Sequence, residues 1–231
     1  MDKLKNILPC SLRTLIARQH ELNPSIAEFC KENEFLLKPR DKGTVGKRIE
    51  FHIFGRLPNN DSSPDLGDKD IKTTHIKKLK NSKWNAKERL TLTNCGTTAN
   101  YESLSHFTAN DTLDKSKLFP KIRKGVLFVL EYNKTVEDMY DEIVHSIVEY
   151  DITELPEDIK DTINTDYAKI RKCVDEKAVS QKGQVFLHIH PHGSKGSKTR
   201  ALGFTNKFVT FLICHYTARA LNKNGNSWSF D

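Results

Sequence analysis

The stretch Pro64-Asp65-Leu66-Gly67-Asp68-Lys69-Asp70-Ile71-Lys72 constrains the fold more than any other part of the chain. Asp70 and Lys72 flank the apolar Ile71, so in an extended strand the two charged side chains share one face and Ile71 points to the other. Asp65 stands upstream by roughly 16 Å of straight chain, whereas two carboxylates on one hard cation need oxygens about 2.0–2.6 Å from it. The chain must therefore bend, and Gly67 has the backbone freedom to let it. Carboxylates brought together repel unless a cation neutralises them, which makes a divalent ion, Mg2+ first, the natural occupant. The competing reading is a charged hairpin edge that discourages strand-to-strand aggregation. The same acid-x-lysine pattern recurs at Asp158 with Lys160 and at Asp175 with Lys177. Both recurrences fall in stretches that read as helical, where positions i and i+2 point to nearly opposite sides and cannot build one site.

Charge supplies a second constraint. Thirty-seven Lys and Arg against 30 Asp and Glu give a net charge of +7 over 231 residues, a balance that favours a polyanionic partner such as nucleic acid. The clusters Lys77-Lys78-Lys80-Lys83-Lys87-Arg89 and Lys195-Lys198-Arg200 read as phosphate contacts, against the alternative of solvated faces. Five cysteines, widely spaced and never paired as CxxC, offer neither a disulfide framework nor a zinc ribbon. The apolar runs are too short to cross a bilayer, so the expected setting is reducing and cytoplasmic, with no membrane.

The length suits one domain, residues 1–231, with two lobes around a cleft. Apolar positions from Leu12 to Phe29 predict two short helices broken near Asn23-Pro24. Val45, Ile49, Ile53 and Phe54 predict a third that carries Glu50. Residues Asn59 to Pro64 read as a loop. Strands are expected at Leu90–Thr93 and at Gly125–Glu131, where the run Val126 to Leu130 marks a buried strand at the centre of a sheet. Val136 to Pro156 reads as a connection, followed by an amphipathic helix over about Asp158–Asp175. Gln184–His190 alternates as a half-buried strand ended by Pro191, a Gly/Ser/Lys loop runs from His192 to Arg200, and Phe204–Tyr216 reads as a terminal helix.

Three stretches resemble the MutH-like family of DNA endonucleases, whose restriction-enzyme branch includes BcnI and MvaI. Arg40-Asp41-Lys42-Gly43 with Gly46 and Glu50 resembles the family's RDKG-xx-G-xxx-E helix. Asp65-Leu66-Gly67 with Asp70-Ile71-Lys72 resembles its PD-(D/E)xK catalytic segment, with the spacing of the BcnI branch. Phe186 to Pro191 resembles the family strand that touches bases, and Lys121-Ile122-Arg123 resembles a basic segment there. The resemblance implies an α/β, restriction-endonuclease-like core: a mixed central sheet flanked by helices, with a DNA cleft between two lobes. It further implies Asp65 and Asp70 as metal ligands for one or two Mg2+ ions, Lys72 as partner of the attacking water, Glu50 as an additional acid, and Lys42 as a DNA contact. Departures are Asp70 and His190, which stand where MutH has glutamate and arginine. The shorter spacing before the second acid in MutH also leaves Asp61 as a weaker alternative for the first ligand.

His188, His190 and His192 stand at i, i+2 and i+4, which admits a zinc or nickel site, but Pro191 breaks the spacing and a strand beside a basic loop suits base and phosphate contacts better. Lys121, Lys195, Lys198 and Arg200 complete the expected DNA contacts, and Trp84 and Tyr101 are candidates to stack on bases. The expected activity is Mg-dependent restriction endonuclease cleavage of double-stranded DNA. The rivals are a nicking endonuclease of mismatch repair and a non-catalytic DNA-binding protein. Monomer or homodimer stays open, and a cognate DNA methyltransferase is expected from the family alone.

Overall fold

The computed structural model describes residues 1–34, 44–58, 63–97, 112–176, 183–193, 197–225 and 227–231. After a single helical turn, α1 (Asp2–Lys5), and a short strand, β1 (Cys10–Ser11), come α2 (Leu12–Leu22) and α3 (Pro24–Asn33). Ser11 caps α2 by accepting from Thr14 N, and Pro24 starts α3, so the break falls at Asn23-Pro24 as expected. Next comes α4 (Thr44–Phe54), the helix that carries Glu50. Strands β2 (Asp70–Lys78), β3 (Trp84–Ala86) and β4 (Leu90–Thr97) lead to a short helix, α5 (Phe119–Arg123), and then to β5 (Lys124–Glu131) and β6 (Ile143–Asp151). The long α6 (Glu157–Asp175) precedes β7 (Leu187–Pro191), β8 (Thr199–Phe204), α7 (Asn206–Thr217), β9 (Leu221–Asn224) and β10 (Ser227–Phe230).

Seven strands form one sheet in the order β1-β6-β5-β2-β3-β10-β9, and β4-β8-β7 form a second, antiparallel sheet. The large sheet is mixed: β2 and β5 run parallel, with Asp70 opposite Gly125 and Lys72 opposite Leu127, while β5 and β6 run antiparallel. Alternation explains the unbroken apolar run in β5. Leu127 and Val129 join a core shared with α6, α7 and the small sheet, whereas Val126, Phe128 and Leu130 join a second core with α2 and α4. A strand covered on both faces reads as continuously apolar because neither face meets water. On β2 the same alternation sends Ile71 into the α4 core and Ile76 into the other. Asp70 and Lys72, in phase with Ile76, therefore point toward the side that also holds the small sheet.

The small sheet is fixed by a buried charge. Asp166 on α6, fully buried, accepts hydrogen bonds from the backbone N–H groups of Val185, Phe186 and Leu187 at 2.6–3.1 Å, which places the start of β7. In β8, Gly203 lies opposite His188 and Thr91.

Several elements depart from expectation. β6 lies where a connection was expected: Glu149 and Asp151 face ion-pair partners, and a register shift sends Val144 and Ile147 into one core and Val148 and Tyr150 into the other, which breaks the period-2 pattern. The expected Gln184–His190 strand begins only at Leu187, because the N–H groups before it are taken by Asp166. Phe204 ends β8, and the terminal helix starts at Asn206, capped by Thr205. The short strands β3, β9 and β10 were not anticipated, since few-residue edge strands carry almost no periodic signal. Asp158 and Lys160 lie in α6 as expected, and Lys177 is outside the described residues.

Gly203→Ala tests this packing. A Cβ there would lie 2.5 Å from the Leu90 carbonyl oxygen and 2.8 Å from the His190 ring, and backbone cannot yield as a side chain can. The substitution should cost about 1–3 kcal/mol in urea unfolding. A shift within measurement error would contradict the packing of β8 between its neighbours.

Candidate active site

The bend required between Asp65 and Asp70 is present. Leu66 N donates to Lys69 O at 2.8 Å, closing a tight turn in which Gly67 takes φ +75°, a backbone region costly for residues with a Cβ. Ion pairs pin the turn onto the sheet: Lys69 Nζ lies 2.9 Å from Glu149 on β6, and Lys124 Nζ lies 2.9 Å from Asp68. Asp65 Oδ2 then accepts from Ile71 N at 2.9 Å, which turns the Asp65 carboxyl back over the start of β2.

Asp70 is fully buried. Lys72 Nζ approaches its Oδ2 to 2.5 Å and Lys121 Nζ its Oδ1 to 3.7 Å. These are ion-pair distances, but neither approach has hydrogen-bond geometry, and among the described residues neither Asp70 oxygen has a hydrogen-bond partner. Burial pushes the Asp70 carboxyl up to about 6; Lys72 opposes that rise and contact with the Asp65 carboxyl adds to it. Burial acts in the same upward sense on Asp65, but contact with Asp70, the Ile71 N–H and the charges of Lys72 and Lys121 outweigh it and hold Asp65 below its usual range. Glu50 is raised to about 7 by burial first and then by the Asp65 charge, with Arg56 and Lys72 pulling the other way. It stands further out, since the three carboxylates do not all come within 4.8 Å of one another. The chemistry of this donor set suits a divalent cation: two hard oxygen donors in contact, one of them buried.

Two residues gain importance that the sequence did not give them. Lys121, expected at a DNA phosphate, is 8% exposed, donates to Ser63 O at 2.5 Å and adds its charge to the Asp70 group. Tyr150 on β6 fills the space left by Gly125, where a Cβ would lie 2.6 Å from its Oη. Its hydroxyl has no hydrogen-bond partner among the described residues, and burial followed by the Asp70 charge raises its pKa. The signal for Tyr150 was hidden with β6.

The other expected residues separate. A cavity of about 880 Å³ runs between β2 and the small sheet, lined by Lys72, Arg89, Thr91, His188, His190 and His192 among others. His188 and His190 have ring centroids 4.6 Å apart, and burial lowers them to about 4 and about 3, so both are neutral at pH 7. His190 is 3% exposed and its Nε2 lies 3.3 Å from Thr91 Oγ1. His192 is exposed, and the three rings do not gather around a common point as metal ligands would. Lys198 is exposed; Arg200 is 5% exposed and donates to the Ser197 and Thr199 carbonyls, so it holds its own loop together. Trp84 packs partly buried against the larger core. Arg40, Asp41, Lys42, Gly43, Asp61, Tyr101 and Lys195 lie outside the described residues.

With this geometry in view, the chain proves 32% identical over 195 residues to the type II restriction enzyme Sau3AI of Staphylococcus aureus. That similarity supports a restriction-endonuclease-like family. The match covers 77% of this chain and 37% of that enzyme, so the chain spans little more than a third of its relative's length. No family model matches the chain. The mixed seven-stranded sheet with flanking helices is compatible with a restriction-endonuclease-like fold, and no helix among the described residues is long and apolar enough to cross a membrane.

The raised Glu50 carboxyl gives a stability test in metal-free buffer. The folded state holds its proton up to about 7, whereas the unfolded state releases it near 4.5, so stability present at low pH is lost as pH rises through this window. Glu50→Gln escapes that loss. Relative to wild type it should gain on the order of 1–2 kcal/mol between pH 5 and pH 8 in urea unfolding, after discounting for partial exposure. A pH-independent difference would remove Glu50 from this electrostatic group.

Proposed function

We propose that the protein is a Mg2+-dependent endonuclease of the restriction type, hydrolysing phosphodiester bonds in double-stranded DNA at a short specific sequence. The observation that carries this reading is the buried Asp70 carboxylate, both oxygens lacking hydrogen bonds, lying against Asp65 with Lys72 and Lys121 beside it. The named relative, a type II restriction enzyme, supports the same class, and the MutH-like motifs of the sequence agree with it.

A phosphodiester resists attack because its anionic oxygens repel nucleophiles. Asp65 and Asp70 would hold the cation, which supplies the positive charge such a phosphate demands. Lys72, already 2.5 Å from Asp70 Oδ2, presents an ammonium toward the attacking water or a non-bridging phosphate oxygen. Glu50, with its carboxyl raised to about 7, is poised to hold or release a proton near neutral pH. Lys121 adds its charge beside the other Asp70 oxygen. The duplex would lie along the mouth of the cavity between the two sheets, making the chain one domain with two lobes. Arg89 and exposed His192 there are suited to phosphates, and the neutral His188 to a base edge. An enzyme that cuts its own sequence context requires protection of host DNA, hence a cognate methyltransferase.

Plasmid DNA incubated with protein and Mg2+ tests the proposal. Discrete linear fragments are expected; open circles alone would assign a nicking enzyme of the mismatch-repair type, and a gel shift without cleavage a binding protein. Lys72→Ala should retain DNA binding while losing cleavage on the order of 100-fold or more. Cleavage at the wild-type rate by that variant would overturn the assignment of Lys72.

Protons and Mg2+ compete for the same carboxyl groups. With Asp70 at about 6 and Glu50 at about 7, Mg2+ should raise the unfolding temperature more at pH 8 than at pH 5. The increment should vanish in Asp70→Asn. Equal stabilisation at both pH values would mean that Mg2+ binds elsewhere.

A further inference from the structure

On the opposite side of α4 from the carboxylates, three helices bring together His20 of α2, Cys30 of α3 and His52 of α4. Their candidate ligand atoms all lie within 4.8 Å of one another, and among the described residues this is the cluster of three or more His, Cys, Asp or Glu side chains that meets that distance. Their spacing in sequence, far from any CxxC or HxxxH pattern, gives no sign of it. His52 is 8% exposed, and among the described residues its buried Nδ1 has no hydrogen-bond partner, nor has the buried Nε2 of His20. The two rings sit with centroids 5.6 Å apart.

We propose that His20, Cys30 and His52 form a structural zinc site that clamps α2 and α3 to α4. Two buried imidazole nitrogens without partners would each forfeit the hydrogen bond they had in water; a shared cation gives both lone pairs a partner. The ligand set, two imidazoles and a thiolate, is of the borderline-soft type that zinc takes in preference to Mg2+ or Ca2+. The remaining nitrogen of His52, Nε2, lies 3.4 Å from Tyr140 Oη. With Nε2–H donating to that oxygen, the tautomer is set and the Nδ1 lone pair faces the cluster, as outer partners orient ligating histidines in zinc sites.

In metal-free protein the Cys30 sulfur is a thiol, raised to about 11 by burial and then by the Glu34 charge, and it donates to the Phe51 carbonyl at 3.3 Å. Zinc would displace that proton to solvent as the sulfur–metal bond forms, with both histidines binding as neutral imidazoles. Zn–N of about 2.0–2.1 Å and Zn–S of about 2.3 Å require ligand atoms about 3.3–3.7 Å apart, so side-chain rotations of about 1 Å close the present spacing. The fourth position falls to water or to the Glu34 carboxylate at the end of α3. Because Glu50 precedes His52 by half a turn on α4, the clamp would also steady the helix that presents Glu50 to the carboxylate group.

The full-length protein, stripped of metal and titrated with Co2+, reads the site without reference to DNA cleavage. A thiolate-to-cobalt charge-transfer band together with intense four-coordinate visible bands is expected at one cobalt per chain. The signal should persist in Asp65→Asn/Asp70→Asn, which removes the carboxylate site, and in Cys10→Ser. It should be lost in Cys30→Ser. Zinc should displace the cobalt, and His20→Gln, on a partly exposed ring that the fold tolerates more readily, should weaken zinc binding more than about tenfold. A wild-type protein with no thiolate band, or a band unchanged in Cys30→Ser, would overturn the proposal, whatever the outcome of the plasmid assay.

Discussion

The buried Asp70 carboxylate is the constraint on which the rest of the structure turns. An ionised carboxyl removed from water costs several kcal/mol unless charge and hydrogen bonds replace its hydration. Here two lysines supply charge, Lys72 from the same strand and Lys121 from α5, while the carboxyl oxygens keep no hydrogen bond among the described residues. A structural ion pair would gain by completing those bonds. The contrast with Asp166, whose oxygens take three backbone N–H groups, is what the proposed cation site would account for.

The fold delivers the group from several directions at once. The parallel pairing of β2 with β5 sets Asp70 opposite Gly125, and the missing Cβ there admits the Tyr150 ring beside the carboxyl. The turn at Gly67 folds Asp65 back, α4 brings Glu50 from the other core, and α5 ends immediately before β5, so that Lys121 is placed by the same strand that pairs with Asp70. Each contribution comes from a different element, so the site cannot form before the central sheet is assembled. Its geometry is therefore a property of tertiary packing more than of any one segment.

This division explains what was legible in the sequence. The turn and strand around Asp65, Asp70 and Lys72 were readable because their geometry is local: a bend at one glycine and alternation over three residues. The α4 helix and the buried β5 strand were readable for the same reason, the first from its helical period and the second from an unbroken apolar run. The role of Lys121 was not, because a lysine in a short basic segment looks alike whether it meets solvent or a carboxylate from another strand. β6 was missed because Glu149, which answers Lys5 and Lys69 across the sheet, interrupts the apolar pattern. The cluster of His20, Cys30 and His52 was invisible, since its members share no spacing and meet only when three helices pack.

Charge balance closes the argument for the carboxylate group. With Glu50, Asp65 and Asp70 ionised against Lys72 and Lys121, the immediate group carries one net negative charge, a deficit that burial makes costly and that lifts Asp70 and Glu50 toward neutrality. Adding the proposed divalent ion reverses the sign to one net positive, and a single phosphodiester then brings the group to zero. The metal-free site thus holds protons, the metal-loaded site expels them and attracts an anion. A buried pair built only for stability would be neutral in itself; becoming neutral on taking a divalent cation and one phosphate is the balance that the proposed function requires.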